Sequence, residues 1–242
     1  MSGTPIGIVD TDVGPLLAPI DPWIWPCLVE TGAWEPMVGD VIRSVLRAGD
    51  MAVNVGAHVG YFTRMMSTIV CGTGVVLAYE PAPSNRRLLE LNLADKSNVS
   101  IRPSAVSDTA GWATFTFSGV NPGDHRLADE HPDAAGSMSV QVVTLDEDMG
   151  RPVDLRLILT DAQGLDLHIL RGARDLIATT RPHLLIEWTP NTLDHADYPE
   201  IDRILDLGYT ARLVEPGIEI TRAADGDVLG QGTATMHLAP PS

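Results

Sequence analysis

Apolar positions along the chain fall into two rhythms. Val38, Val41, Ile42, Val45 and Leu46 recur at helical spacing, and Ala48-Gly49-Asp50 ends that stripe, which predicts a helix leading into a strand. Beyond it, short apolar runs at 51–55, 75–80, 98–102, 155–160 and 183–188 alternate with helical patterns at 60–70, 84–94, 165–178 and 199–207. That alternation predicts βαβ units around a parallel sheet, an α/β fold. Two alternating runs, WATFTF at 112–117 and VQVVTL at 140–145, interrupt the rhythm around a polar loop at 119–138 and predict an inserted β-hairpin with a lid. YTARLV at 209–214 and TATMHL at 233–238, separated by turn-rich residues 216–232, predict a closing hairpin with an antiparallel last strand. Residues 1–35 are rich in Pro and Gly and carry Trp23, Trp25 and Trp34 without a period. They read as an arm ahead of a single domain over 36–242.

Composition narrows the partners. The chain has 32 acidic and 16 basic residues, a net charge of −16 that repels a phosphate backbone or an anionic membrane surface. Nucleic acid and membrane are therefore not expected as partners. No run approaches the roughly 18 apolar residues of a membrane span, and the first residues carry no basic stretch followed by an apolar one, so the expected location is the cytoplasm. Cys27 and Cys71 are too few and too far apart for a disulfide framework or a zinc site, and they read as buried free thiols. The apolar, Trp-rich arm would suit a homodimer contact.

The chemistry begins at VNVGAHVGYFT. Gly56 and Gly60 bracket a tight turn between a strand ending at Asn54-Val55 and a helix. Glycine lets the backbone approach a ligand, and the helix start offers free N–H donors. The next strand delivers Glu80, where a carboxylate can accept both hydroxyls of an adenosine ribose. A dinucleotide turn would carry Gly-x-Gly-x-x-Gly, whereas position 58 is His. That difference favours S-adenosylmethionine, which has no phosphate.

These segments, in order, resemble the FkbM family of methyltransferases. The resemblance runs through ETGAWEP at 30–36, AGDMAVNVGAHVGYFT at 48–63, VVLAYEPAPSNRRLLELNLA at 75–94 and AVSDTAG at 105–111. It continues through GDHRL at 123–127, VTLDE at 143–147, DLRLILTDAQGLDLHILRGA at 154–173 and RPHLLIEW at 181–188. It implies a class I, Rossmann-like methyltransferase fold, with a mostly parallel seven-stranded sheet and S-adenosylmethionine above the strand ends. It also implies methylation of hydroxyls on small secondary metabolites, sugars or lipids. The family's turn falls on Gly56 and Gly60, its ribose acid on Glu80-Pro81, and its Asp-x-x-Gly on Asp161 and Gly164. The chain departs at Asn54, where Asp is usual, at His58 for Asn, at Leu159 for a common Lys, and at Gln163 for a frequent Glu.

The expected cofactor contacts are Glu35, Asn54, Gly56, Ala57, His58, Gly60, Tyr61, Phe62, Glu80, Pro81, Ala105 and Asp161. Methyl transfer to a hydroxyl needs two positioned reactants and a base. His125 could take the proton as a lid closes, or be a solvated loop histidine. Asp161 could hold the methionine part or the acceptor, or cap the helix near Gly164. Glu187 could orient the acceptor or pair with an Arg. His183 begins its strand at the opposite edge and reads as structural. Trp34 with Glu35 reads as part of the site and Trp23 as packing. Asp124, Glu130, His131 and Asp133 are irregularly spaced in an acidic loop and indicate no metal. The expected acceptor is a small molecule bearing a hydroxyl. The alternatives are N-methylation of a peptide or small molecule, a non-catalytic binding protein on the same fold, and a nicotinamide oxidoreductase, which the missing third glycine disfavours.

Overall fold

The structure, a computed structural model, describes residues 4–119, 121, 125–127, 134–150, 154–230 and 232–241. The chain opens with β1 (Ile6–Thr11), β2 (Gly14–Pro19), α1 (Ile24–Thr31) and α2 (Pro36–Val45). Then follow β3 (Met51–Val55), α3 (Tyr61–Val70), β4 (Val75–Tyr79), α4 (Pro83–Asn92), β5 (Val99–Arg102) and β6 (Ala105–Val106). The middle holds β7 (Gly111–Ser118), β8 (Ala134–Val143), α5 (Leu145–Met149), β9 (Leu155–Thr160), α6 (Asp166–Arg171) and α7 (Arg174–Thr180). The last elements are β10 (His183–Trp188), α8 (Pro199–Asp206), β11 (Thr210–Leu213), β12 (Glu219–Ile220) and β13 (Ala234–Ala239).

The central sheet has the order β12-β11-β13-β10-β9-β3-β4-β5. Its middle strands pair in parallel, and β13 runs antiparallel between β10 and β11. The eighth strand, beyond the seven expected, is the two-residue β12 at the edge, inside the segment read as turns. Helices cover both faces, so the middle strands are apolar on both sides. Val53, Val55, Ile158 and Ile186 face the cluster built with α6, α7 and α8, while Ala52, Leu157, Leu159 and Leu185 face the arm, α2 and α3. The expected stripe Val38, Val41, Ile42, Val45 and Leu46 is buried in that second cluster.

Four expectations change. The arm is a β-hairpin and a helix, and its Leu16 and Leu28 are buried beside Ile42 and Met66. Asn92 pins it: the side-chain amide accepts from Leu17 N (2.8 Å) and donates to Leu17 O (2.9 Å) and Val59 O (2.8 Å), tying hairpin to glycine turn. The helix expected at 165–178 is two, α6 and α7, broken near Gly172, where a Cβ would lie 2.2 Å from Ser107 O. The insertion is a three-stranded sheet, β6-β8-β7, and β8 starts inside the segment read as a polar loop. It stops at Val143 because Thr144 caps α5, its Oγ1 accepting from Glu147 N (3.2 Å). Finally, Cys27, within α1, is half-buried and Cys71, at the end of α3, is exposed, and neither is in a disulfide. Among the described residues no helix is long and apolar enough to cross a membrane.

Candidate active site

A cavity of about 530 Å³ opens at the C-terminal ends of β3, β4, β9 and β10, the edge where open α/β sheets take their ligands. The hairpin and α1 contribute Leu16, Trp23 and Leu28 to its wall, and the inserted sheet contributes Phe115. Every residue expected from sequence to contact the cofactor or take part in catalysis lines this one space. The turn from Asn54 to Phe62 is there, with Glu80, Pro81, Ala105, His125, Asp161, Glu187 and Glu35.

The glycine turn is built by close backbone approach. Gly56 sits at φ +79, and a Cβ there would lie 2.0 Å from Asp161 O, so the turn after β3 is pressed against the end of β9. Gly60, at φ +96, precedes α3, and its Cβ would meet Leu89 Cδ1 at 2.6 Å. Gly56 N and Ala57 N donate to Tyr79 O (3.1 and 3.0 Å), fixing the turn over β4. Glu80 then closes it: Oε2 accepts from His58 N (2.7 Å) and Oε1 from Ala82 N (2.9 Å). Burial lifts the Glu80 carboxyl to about 7 against the pull of those N–H groups. Asn54 is buried and donates from Nδ2 to Thr63 Oγ1 (2.9 Å), so the residue standing where Asp is usual ties β3 to α3. The His58 ring is held neutral, burial lowering it to about 4, and its buried Nε2 has no partner among the described residues.

Carboxylates gather at the other end. The ladder pairs Ile186 with Thr160, so Glu187 and Asp161 leave adjacent strands side by side. Asp161 accepts from Gln163 Nε2 (3.0 Å) and from the protonated carboxyl of Glu187. Burial and the negative neighbours Asp161, Asp166 and Glu35 push Glu187 up to about 10. Glu35 rises to about 7 through burial and then Asp161. Asp166, fully buried behind them, rises to about 7 through burial although Thr160 Oγ1 donates to its Oδ1 (2.5 Å). Glu35 at φ 44, His58 at φ 49 and Gln163 at φ 53 are non-glycine residues in the left-handed region, and all three line the cavity. Such strain persists where surrounding structure holds it, commonly at sites. Among the described lining residues there is no Lys or Arg.

Several sequence alternatives are resolved by geometry. Asp161 does not cap a helix: α6 begins at Asp166 without a side-chain cap bond. Glu187 has a carboxylate rather than an Arg as its partner. His125 stands edge-on to Phe117, with centroids 5.3 Å apart, and its Nδ1 accepts from Ser118 N (3.1 Å). In a neutral ring this bond leaves the proton on Nε2. His183 lies at the far end of β10 against His237 (Nδ1 to Nε2, 3.1 Å), and burial lowers both rings to about 4. Trp25 packs over Gly7, but Trp23, read as packing, is 45% exposed and lines the cavity with Trp34. The polar loop cluster Asp124, Glu130, His131 and Asp133 lies outside the described residues. Among those described, no group of His, Cys, Asp or Glu is arranged to hold a metal ion.

Sequence reasoning missed Leu16, Phe115, Asp166 and Thr235. Thr235 pairs in register with Glu187 across β13 and β10, so placing β13 beside β10 would have found it. Leu16 had no local signal, because the hairpin reaches the cavity through contacts with α4.

No curated protein matches the chain by sequence. The sequence profile of the methyltransferase FkbM domain matches residues 54–211, more than half the chain. Methyltransferase FkbM from Methylobacillus flagellatus KT is similar in structure, with a TM-score of 0.51 and 16% identity over 83% of this chain and 50% of that one. This chain thus spans half the length of that protein. A putative rRNA-methylase from Clostridium thermocellum is similar with a TM-score of 0.51 and 10% identity, over 86% of this chain and 95% of the other. At these identities the likeness establishes the fold, that of class I methyltransferases, and the profile adds the family. The chain belongs to the FkbM family of methyltransferases.

Proposed function

We propose that the protein transfers a methyl group from S-adenosylmethionine to a hydroxyl of a small, natural-product-like acceptor. The observation that carries this reading is the hydrogen-bonded pair Asp161–Glu187 at the acceptor end of the cavity. Two inter-strand steps, roughly 10 Å, separate β9 from β4. A nucleoside held at Glu80 and an acceptor held at Asp161 fit side by side across that distance.

The residues present suit the cofactor. Gly56 lets the turn press against the end of β9, Glu80 offers carboxylate oxygens to a ribose, and the described lining carries no cation that would call for a phosphate. When bound, S-adenosylmethionine supplies an electrophilic methyl on sulfur, whose C–S bond breaks, leaving its electron pair on sulfur, as the acceptor oxygen bonds to the carbon. Glu80 would hold the ribose, and Ser104 and Ala105 line the same cavity. His125, donating from Nε2, orients an oxygen rather than taking its proton. Asp161, the ionised member of the acid pair, takes the hydroxyl proton, and Glu187 keeps it aimed. The acidic cavity and the net charge of −16 support a small acceptor over a nucleic acid.

The test is a transfer screen with isotopically labelled methyl donor against hydroxyl-bearing metabolites, with the methyl located by NMR. An O-methyl product supports the reading. A label found only on nitrogen or carbon overturns it, as would a folded protein that does not bind S-adenosylmethionine at millimolar concentration.

A further inference from the structure

We propose that the acceptor carries an ammonium group beside the hydroxyl it presents, as in an amino sugar or amino alcohol, and that Glu35, Asp161 and Glu187 hold that charge. The inference deepens the hydroxyl-transfer reading above and rests on it.

Three separate elements bring the acids together. Glu35 comes from the segment before α2, Asp161 from the end of β9 and Glu187 from β10, and their charges bear on one another. Behind them Asp166 is fully buried, and its Oδ2 has no hydrogen-bond partner among the described residues. Buried acids are ordinarily paired with a cation, and unpaired ones are costly. Here the described lining contains no Lys or Arg to pair them, and no group is arranged for a metal ion. Among the described residues nothing balances these acids, and a bound cation would. Trp23 and Trp34 line the same cavity, and aromatic side chains suit an organic cation.

The arrangement also links binding to chemistry. A neutral acceptor would meet a pair that already holds a proton on Glu187. An ammonium beside Glu35 and Glu187 favours their ionised forms, while Asp161 stays ionised to take the hydroxyl proton. Cation binding therefore releases a proton.

The experiment uses the full chain with S-adenosylmethionine and matched pairs of probes, free amino sugars and amino alcohols against their N-acetyl forms. Binding is read by calorimetry in two buffers of different ionisation enthalpy, and transfer by the labelled methyl. The expected result is tenfold or tighter binding of the free amine in at least one pair, with proton release, and transfer to its oxygen. Glu35→Gln should erase that preference. Equal handling of amine and amide, or no preference in any pair, overturns the inference, and O-methylation of the amides would leave the hydroxyl-transfer reading standing. A label on the nitrogen of a preferred amine would overturn the hydroxyl reading and keep the cation site. If Glu35→Gln weakens cofactor binding instead, the acids serve the methionine ammonium and the inference fails. Should that variant not fold, the matched pairs on the native enzyme decide.

Discussion

Replacing Gly56 by alanine tests the contact that joins the two halves of the site. The new Cβ would lie 2.0 Å from Asp161 O, and ordinary contact begins at 3.4 Å, so the two strand ends must part by about 1.4 Å. Neither atom is the tip of a flexible side chain. Holding alanine at φ +79 costs about 1–2 kcal/mol, and forcing an atom into a packed contact adds about 1–3 kcal/mol. The sum, about 2–5 kcal/mol, corresponds at this chain length to a melting temperature lower by roughly 4–20 °C.

Function should suffer more than stability. The displaced group is the backbone of Asp161, and a misplacement of about 1 Å in a reacting geometry costs on the order of 100-fold in rate. Scanning calorimetry and kcat/KM are therefore measured on the same preparation. Gly72→Ala is the control, since a Cβ at Gly72 meets nothing within 4 Å. A Gly56→Ala enzyme that melts within 2 °C of the parent and turns over within threefold would refute the close-approach argument.

Glu80→Gln should weaken S-adenosylmethionine about 10- to 100-fold by calorimetry through loss of charge-assisted bonds, and unchanged affinity in a folded variant rejects the ribose assignment. His125→Ala should raise the acceptor KM and leave the pH limb of kcat in place, whereas loss of that limb would restore the histidine as base. Leu159→Lys places a cation at the cavity beside uncompensated acids, so the free-amine preference should fall; a preference kept in full would show that those acids do not set it. For the cofactor-free protein, Glu35, Glu80 and Asp166 at about 7 and Glu187 at about 10 bind more protons folded than unfolded, so they remove stability as pH rises. His58, His183 and His237, lowered to about 4, do the reverse, but only below 6.5. The melting temperature should fall from pH 6.5 to 9 and stay nearly level from 6.5 to 5, and a rise toward pH 9 would contradict the buried acids.

The parallel strands were legible because burial on both faces writes a near-continuous apolar run, and the glycine turn because its signal is local. The hairpin was not. In β1 the outward residues Ile6 and Ile8 are 48% and 71% exposed yet apolar, so the strand has no alternation to read. What fixes the hairpin is Asn92, 75 residues from Leu17. The break between α6 and α7 is equally non-local, since Gly172 is required by the carbonyl of Ser107. Asp161 and Glu187 could each be named from strand ends, but their partnership depends on the β9–β10 register. The Ser118 N–H that engages His125 Nδ1 is equally non-local to any motif, and no sequence spacing encodes it.

The departures from the family pattern bear differently on the two ends of the cavity. Asn54 costs the cofactor end little, because its side chain is spent on Thr63 and the turn is shaped by glycines and by Glu80. Leu159 matters more. It lies on β9, is 4% exposed and lines the cavity, where a lysine in its place would bring a cation to Asp161. With leucine there, Asp161, Glu187 and Glu35 face one another uncompensated, and burial penalises each of them. A fold selected for stability alone would not keep that arrangement, whereas local rules are broken where a ligand completes the balance. The same reasoning separates these acids from the many on the surface, which water neutralises without structural consequence. Two departures, Asn54 and His58, thus fall in the glycine turn, while Leu159 falls beside the acids of the cavity.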